Sequence, residues 1–468
     1  MSAVENKVET LETLEERKDF IVCKKGNKDK KIKCDAESIA GAMSQRACVY
    51  CGARVVLNPI TDAYHLIHGP IGCASYTWDL RGSLTSGEET FRTSFSTDLR
   101  ENNIIFGGEQ KLAGAIDEIV EQYNAKLIFI YSTCVVGVIG DDLKAVAKAA
   151  ETKYGIRVIP VESSGFIGSK SAGYKAGCNA LLEIMDRDGY KDKVDGINFL
   201  GDFNLAGEMW IIQSYLRNMG VNLLAKITGD SSYENLRKAT QAKMNIVQCA
   251  GSMNYLAENM KARYEIPYMK VSFFGIEDTV ISLKSIAYAT GNKEIIKKTM
   301  DFINSKREEC EKELEPYRNR VKGKKVAIYV GGGFKAISLI KQFNDLGIKT
   351  VMVGTQTGRE EEYDVIRKLA DEDTIILDCM KMEFTLIKWG TYLQKKLKLK
   401  MIFLVTDILV GGVKERPLAY KLGVSFIDHN HERKHALCGF EGSINFAKEV
   451  DLTVNSPVWN VVDELGEI

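Results

Sequence analysis

Short β-branched runs alternate with amphipathic stretches along most of this chain, and no other feature limits its possible folds as tightly. Leu127-Ile-Phe-Ile-Tyr131 reads as a buried strand, Asp142 to Lys153 as the helix after it, and Val158-Ile-Pro-Val161 as the next strand. The pattern resumes with a strand at Gly196–Leu200, a helix over Glu208–Met219, and strands at Val221–Ile227, Lys243–Val247 and Met269–Phe274. Ser282 to Lys322 is charged and reads as a helical connector. Val326–Val330 opens a third unit, with a Gly331-Gly332-Gly333 turn into a helix over Phe334–Leu346 and strands at Lys349–Val353, Thr374–Leu377 and Met401–Val405. Such alternation predicts an α/β fold with mostly parallel sheets and ligands at the carboxyl ends of strands. The expected divisions are an arm over residues 1–46, α/β domains over 47–193, 194–285 and 323–445, a connector over 286–322, and a segment over 446–468 returning toward the first domain.

The 468 residues suffice for about three domains. Lysine plus arginine number 63, and so do aspartate plus glutamate. The chain therefore has no global field to recruit nucleic acid or an anionic membrane. No apolar run nears the roughly 20 residues of a membrane span, and the charged N-terminus lacks the apolar core of a secretory signal. The expected compartment is the cytoplasm, where eleven cysteines serve as metal ligands or small core residues rather than disulfides. Residues 1–46, which include Cys23 and Cys34, read as a solvated arm. The triple glycine lacks the G-x-G-x-x-G spacing and any following Lys-Ser pair, so it supports a tight turn and not a nucleotide site.

Three cysteines sit in glycine-bearing turns: Arg46-Ala-Cys48-Val-Tyr-Cys51-Gly, His68-Gly-Pro-Ile-Gly-Cys73 and Tyr131-Ser-Thr-Cys134-Val-Val-Gly. Thiolate is a soft ligand suited to iron–sulfur clusters, and neighbouring glycine lets backbone approach the cluster sulfides. Their wide spacing excludes a compact zinc knuckle, and three thiols on separate segments suggest a site completed by another chain. Cys51 is either a spare ligand or, the favoured reading, a small core residue. Asp141 and Asp142 read as the cap of the helix after the Cys134 turn.

Further segments belong with these: Pro59-Ile-Thr-Asp-Ala-Tyr-His65-Leu-Ile-His68-Gly-Pro, Phe95-Ser-Thr-Asp98, Ile105-Phe-Gly-Gly-Glu109, Gly201-Asp-Phe-Asn204-Leu-Ala-Gly-Glu208 and Ser456-Pro-Val-Trp459. Over residues 40–460 the chain resembles the molybdenum–iron protein superfamily of nitrogenases. Trp78-Asp-Leu-Arg81-Gly-Ser, Gly275-Ile-Glu-Asp278 and Asp428-His-Asn430-His-Glu-Arg433 are closest to its cofactor-assembly scaffold subunits of the E type. The resemblance implies three Rossmann-like domains and an α2β2 complex with an N-type β subunit. The implied task is to hold an iron–sulfur precursor while molybdenum (or vanadium) and homocitrate are inserted. It also implies exchange with a radical cluster-assembly enzyme, the nitrogenase iron protein and apo-nitrogenase as acceptor.

By the same resemblance Cys48, Cys73 and Cys134 ligate an iron–sulfur cluster at the β-subunit interface, and Cys249 ligates the precursor. Asn430 falls where catalytic subunits carry a cofactor-ligating histidine, and an amide is a poor ligand for iron or molybdenum. His429, His431 and His435 remain open as transient ligands or as solvated turn residues. The Gly165-Phe-Ile-Gly-Ser-Lys170-Ser-Ala-Gly-Tyr174-Lys175 loop lacks the catalytic subunits' glutamine and histidines, though Lys170 could attract an anionic cluster. Lys414, in Gly411-Gly-Val-Lys414-Glu-Arg416, is a candidate anchor for homocitrate, and Lys335 a further positive charge. The alternative is a divergent catalytic α subunit, of a vanadium or iron-only system, or a scaffold for an iron–vanadium cofactor.

Overall fold

A computed structural model describes residues 21–23, 48–78, 84–86, 93–248, 250–355, 358, 360–378, 406–412, 415–421, 423–429 and 435–459. The chain divides into two compact units, one comprising residues 38–308 and 434–440, the other residues 1–37, 309–433 and 441–468.

The first unit holds two four-stranded sheets. One contains β2 (Tyr64–His68), β3 (Ser94–Ser96), β4 (Leu127–Ser132) and β5 (Arg157–Val161), in the order β3-β2-β4-β5. The other contains β6 (Ile197–Asp202), β7 (Leu223–Thr228), β8 (Met244–Val247) and β9 (Tyr268–Lys270), in the order β7-β6-β8-β9. Every pairing in both is parallel. All six residues of β4 and all six of β6 are buried, as strands covered on both faces by helices must be. β4 is a continuous apolar run up to Tyr131, whereas β6 carries a buried Asn198 whose amide donates to Ala239 O and Asn245 Oδ1 at 2.8 Å.

The second unit carries one six-stranded sheet built from β1 (Ile21–Cys23), β10 (Lys325–Val330), β11 (Lys349–Thr355), β12 (Ile375–Asp378), β13 (Ile408–Gly411) and β14 (Ser425–Asp428), ordered β1-β12-β11-β10-β13-β14. All its pairs are parallel except β1 with β12. Ile21–Cys23 belongs to the stretch expected to be a solvated arm. Its β-branched pair instead supplies an antiparallel edge strand.

Two expectations change in detail. The helical connector is two helices, Ile276–Thr290 and Lys293–Val321. Gly291 ends the first in a left-handed conformation, and the Asn292 carboxamide oxygen accepts from Glu294 N at 2.9 Å to start the second. The strand expected at Met269–Phe274 is confined to Tyr268–Lys270. The strand expected at Met401–Val405 lies outside the described residues.

One helix pair fixes the site. Val49–Leu57 and Lys170–Asp188 pack backbone to backbone at Gly52 and Gly173. A Cβ on Gly52 would stand 2.2 Å from the Lys170 carbonyl oxygen, and one on Gly173 2.0 Å from that of Val49. Only glycine permits this approach.

Candidate functional site

In both four-stranded sheets the strand order reverses direction beside the first strand, between β2 and β4 and between β6 and β8. At such a reversal the loops leaving adjacent strands diverge to opposite faces and open a crevice at the carboxyl ends. β2 runs through Gly69-Pro70 into the helix Ile71–Trp78, which carries Cys73. β4 runs through Thr133 into the helix Cys134–Ile139. The crevice therefore receives Cys73 and Cys134 directly from the topology. Cys48 arrives from the other direction, as the N-cap of Val49–Leu57.

All three cysteines thus lie in the first turn or cap of a helix, where the positive end of the helix dipole favours an anionic sulfur. The loop after β5 closes the group. Ser163 N donates to Ser132 Oγ at 2.8 Å, Ser163 Oγ to Ser132 O at 2.8 Å, and Ser164 Oγ to Thr133 O at 3.0 Å. This brings Gly165 against the sulfurs, with its N–H donating to Cys134 Sγ at 3.1 Å. The position a Gly165 Cβ would occupy is 3.0 Å from Cys134 Sγ and 3.0 Å from Cys48 Sγ. The two sulfurs flank one point that glycine leaves open.

Burial raises the Cys48 thiol pKa, and the amides of Tyr50 and Cys51 partly offset this although neither caps the sulfur with a hydrogen bond. Burial pushes the Cys73 thiol up to about 11, with the neighbouring Cys134 and Cys48 adding to the rise. Cys48 and Cys73 are thus both less readily ionised than a free thiol, and a cation beside them would favour their thiolates. Among the described residues no three His, Cys, Asp or Glu side chains close around a single metal ion. The donor set, with helix N-termini and an amide N–H aimed at sulfur, fits a multi-atom iron–sulfur group.

A supporting layer went unrecognised in the sequence. His68, buried at the end of β2, meets Asp141 Oδ2 through Nε2 at 2.9 Å and Thr97 Oγ1 through Nδ1 at 3.1 Å. Burial lowers the His68 pKa, against the pull of Asp141. Asp141 also accepts from Gly108 N at 3.0 Å. Of the two aspartates read as a helix cap, only Asp142 caps, accepting from Ala145 N at 3.0 Å. Asp141 instead ties the Cys134 turn to the strand that delivers Cys73. The His68-Gly-Pro motif was visible in sequence, but its partner 73 residues away was not. His65 is a core residue, with Nδ1 2.9 Å from the Tyr131 hydroxyl and its ring stacked on Phe129.

The segments that carry Cys73 and Cys134, the Gly165 loop, and a helix packed against the Cys134 segment also bear exposed apolar side chains. Ile71 lies two residues before Cys73, Val138 shares the Cys134 helix at 77% exposure, and Phe166 and Ile167 follow Gly165. Ile105 and Phe106, the latter 84% exposed, end a helix (Glu101–Phe106) packed against the Cys134 helix. Exposed apolar side chains of this kind, carried on the same segments as the thiols, on the Gly165 loop or on a helix packed against one, suit a protein contact.

The remaining candidates are distributed as follows. Cys51 is fully buried one turn into the Cys48 helix. Lys170 begins the helix Lys170–Asp188, its Nζ 5.8 Å from the centre of the Tyr174 ring. Cys249 lies outside the described residues; it follows Gln248, whose side chain reaches Asp202 Oδ2 at 3.2 Å at the end of β6. In the second unit the strand order reverses between β10 and β13. Lys335 is half-buried in the helix Gly333–Asp345 that follows β10. His429 is buried just past β14, its ring 5.7 Å from that of Phe446. His435 is exposed. Lys414, Asn430, His431 and the Trp78–Ser83 segment beyond Trp78 lie outside the described residues, as does Cys34.

Comparison with known proteins agrees with this architecture. The chain matches the nitrogenase component 1 type oxidoreductase family over residues 48–455. It is 60% identical over 459 residues to the nitrogenase iron-molybdenum cofactor biosynthesis protein NifE of Clostridium pasteurianum, covering 97% of each chain. The protein of the same name from Methanosarcina barkeri is 47% identical, covering 98% of this chain and 99% of that one. A solved structure of nitrogenase Cp1 at pH 5 superposes with a TM-score of 0.82 at 30% identity, covering 95% of this chain and 96% of that one. The higher identities fall to cofactor biosynthesis proteins, and the reading as a divergent catalytic subunit gains no support from them. With its parallel α/β sheets, its cysteine-lined crevice and matches of this extent, the chain belongs to the nitrogenase component 1 type oxidoreductase family.

Proposed function

We propose that this chain is the α-like subunit of a scaffold complex on which the iron–molybdenum cofactor of nitrogenase matures. The observation that carries the reading is near end-to-end identity of 60% with a cofactor biosynthesis protein. The convergence of Cys48, Cys73 and Cys134 on an exposed, apolar-rimmed crevice agrees with it.

In this reading the three thiolates hold an iron–sulfur cluster whose remaining ligand comes from an N-type β subunit. The rim of Ile71, Phe106, Val138, Phe166 and Ile167 packs against that partner and keeps water from the cluster. His68 and Asp141 hold the two sulfur-bearing turns in register, and Gly165 presents its N–H to sulfur while leaving room for the bound group. Such a cluster supplies one-electron chemistry when bound.

The cargo is a separate iron–sulfur precursor, attached through Cys249. A single thiolate suits cargo that must leave, since few protein–metal bonds then have to break. Lys170, Lys335 and Lys414 offer positive charge to an anionic cargo and its homocitrate, while His429, Asn430 and His431 are candidate transient contacts. The complex works in the cytoplasm as α2β2, receiving precursor from a radical cluster-assembly enzyme. It completes it with the nitrogenase iron protein, ATP, molybdate and homocitrate, and passes it to apo-nitrogenase.

The test is activation of cofactor-free nitrogenase by the anaerobically purified complex with iron protein, ATP, molybdate and homocitrate. Activation that depends on the complex supports the reading. No activation by a complex shown to carry precursor overturns it.

A further inference from the structure

Cys51 is the thiol that the cluster reading leaves unused. It sits three residues after Cys48 in a Cys-x-x-Cys sequence whose first member caps a helix. Paired thiols in this arrangement at a helix N-terminus form the reactive dithiols of disulfide oxidoreductases. The local geometry permits the bond. The Cys48 carbonyl already accepts from Gly52 N at 3.1 Å, so Cys48 and Cys51 stand one helical turn apart. In an α-helix that places their Cα atoms about 5 Å from each other, inside the range a disulfide spans. The Cys51 sulfur is close enough to act on the Cys48 thiol, and the Cys51 amide faces Cys48 Sγ. Cys48 is half-exposed and Cys51 fully buried, and no disulfide joins them in the structure.

We propose that Cys48 and Cys51 form a reversible disulfide when the interface site is empty, which takes Cys48 out of service as a ligand. The oxidant is a small-molecule disulfide. Cys48 as thiolate attacks one of its sulfurs, forming a mixed disulfide and releasing the first thiol. The Cys51 sulfur then attacks Cys48 Sγ, closing the internal bond and releasing the second thiol. Two protein thiols are oxidised and one small-molecule disulfide is reduced. Burial defines the order: no external disulfide reaches Cys51, so it acts only as the resolving group. The bond also spares Cys48 from deeper oxidation, because sulfur held in a disulfide is recovered by reduction and a sulfinic acid is not. The consequence for loading rests on the reading of Cys48 as a cluster ligand; the disulfide itself does not.

The experiment uses the full chain, stripped of iron anaerobically, exposed to oxidised glutathione, then denatured in N-ethylmaleimide and digested with trypsin. Cleavage after Arg46 and Arg54 yields a peptide over residues 47–54 that contains these two cysteines and no others. The expected result is that peptide unalkylated and lighter by two hydrogens. Uptake of ferrous iron and sulfide at the site should be lost in parallel and return after dithiothreitol. In Cys51→Ala, glutathione should instead remain on Cys48. The proposal is overturned if both cysteines of the peptide are alkylated. It is equally overturned if Cys48 is cross-linked to Cys73 or Cys134, or if it carries glutathione while Cys51 is alkylated. An internal disulfide with undiminished iron uptake would leave the bond standing and remove Cys48 from the ligand set, so the two ideas fail separately.

Discussion

Replacing Gly165 with alanine isolates the contact on which the cysteine site depends. Gly165 has no left-handed φ, so its backbone already suits an L-residue and alanine brings no dihedral strain. Its N–H bond to Cys134 Sγ also survives the change. What alanine adds is a methyl group 3.0 Å from two sulfurs at once. Relaxed heavy-atom contacts sit near 3.5–4.0 Å, so each sulfur must retreat by roughly half an ångström or more. In a site free of cluster the thiols can rotate aside, and the melting temperature should change little. With the cluster bound the sulfurs are tethered and the strain stays, at about 1–3 kcal/mol for an overpacked contact. At 1.4 kcal/mol per tenfold, that is roughly 5- to 150-fold weaker retention of the group. The assay is iron and acid-labile sulfide retained by the anaerobic complex across a chelator series. Retention indistinguishable from the unaltered protein would refute the steric argument and, with it, the placement of the cluster beside Gly165.

Gly114→Ala is the contrasting case: it lies inside the helix Glu109–Tyr123 with open space where a Cβ would go, so alanine should stabilise by about 0.5–1 kcal/mol in denaturant unfolding. An unchanged or lower midpoint would contradict that. Asp188 accepts from Arg157 Nη2 and Nε at 2.6 Å each and from the Tyr233 hydroxyl at 2.9 Å. Burial alone would raise its pKa, but these bonds outweigh it and hold the carboxyl below its usual range. Its stabilisation is therefore complete above the unfolded value near 3.9 and is lost as pH falls through the lower folded value. Asp188→Asn should cost about 1.5–3 kcal/mol at neutral pH, with the gap closing in acid; a gap of constant size down to pH 3 would show that the carboxylate charge is not what matters. Cys249→Ala should release the precursor iron while the interface cluster stays, and iron counts of unchanged total would remove Cys249 from the cargo site.

The strands that carry the site were legible because they are buried on both faces. Leu127–Tyr131 is an uninterrupted apolar run and Gly196–Leu200 an apolar run broken by Asn198, and the strands end at Ser132 and Asp202. The helix Glu208–Met219 matches its expected bounds, with Gly207 and Gly220 flanking it. The break at Gly291-Asn292 is marked in sequence by no more than a glycine and a capping residue, and the bond from Glu294 N to the Asn292 carboxamide oxygen shows that a second helix starts there. At the site, residue types pointed to sulfur ligation, but nothing local states that Cys48 and Cys134 share Gly165 as a neighbour. That fact depends on Ser163 and Ser164 bonding to the end of β4, a contact across 31 residues. The His68–Asp141 pair is hidden for the same reason, since its members lie 73 residues apart and Asp141 sits beside a residue that does cap a helix.

The glycine contact between Val49–Leu57 and Lys170–Asp188 bears on how the proposed cluster site would be prepared for its ligand. Carbonyl oxygens pressed against Gly52 and Gly173 leave neither helix room to slide or roll, so Cys48 is held at one height over the crevice whether or not anything is bound. A receptor arranged in advance loses little conformational entropy on capture, and more of the ligand bond strength appears as affinity. If the crevice holds a cluster as proposed, the chain would serve as a rigid mould rather than a loose strand that metal must fold.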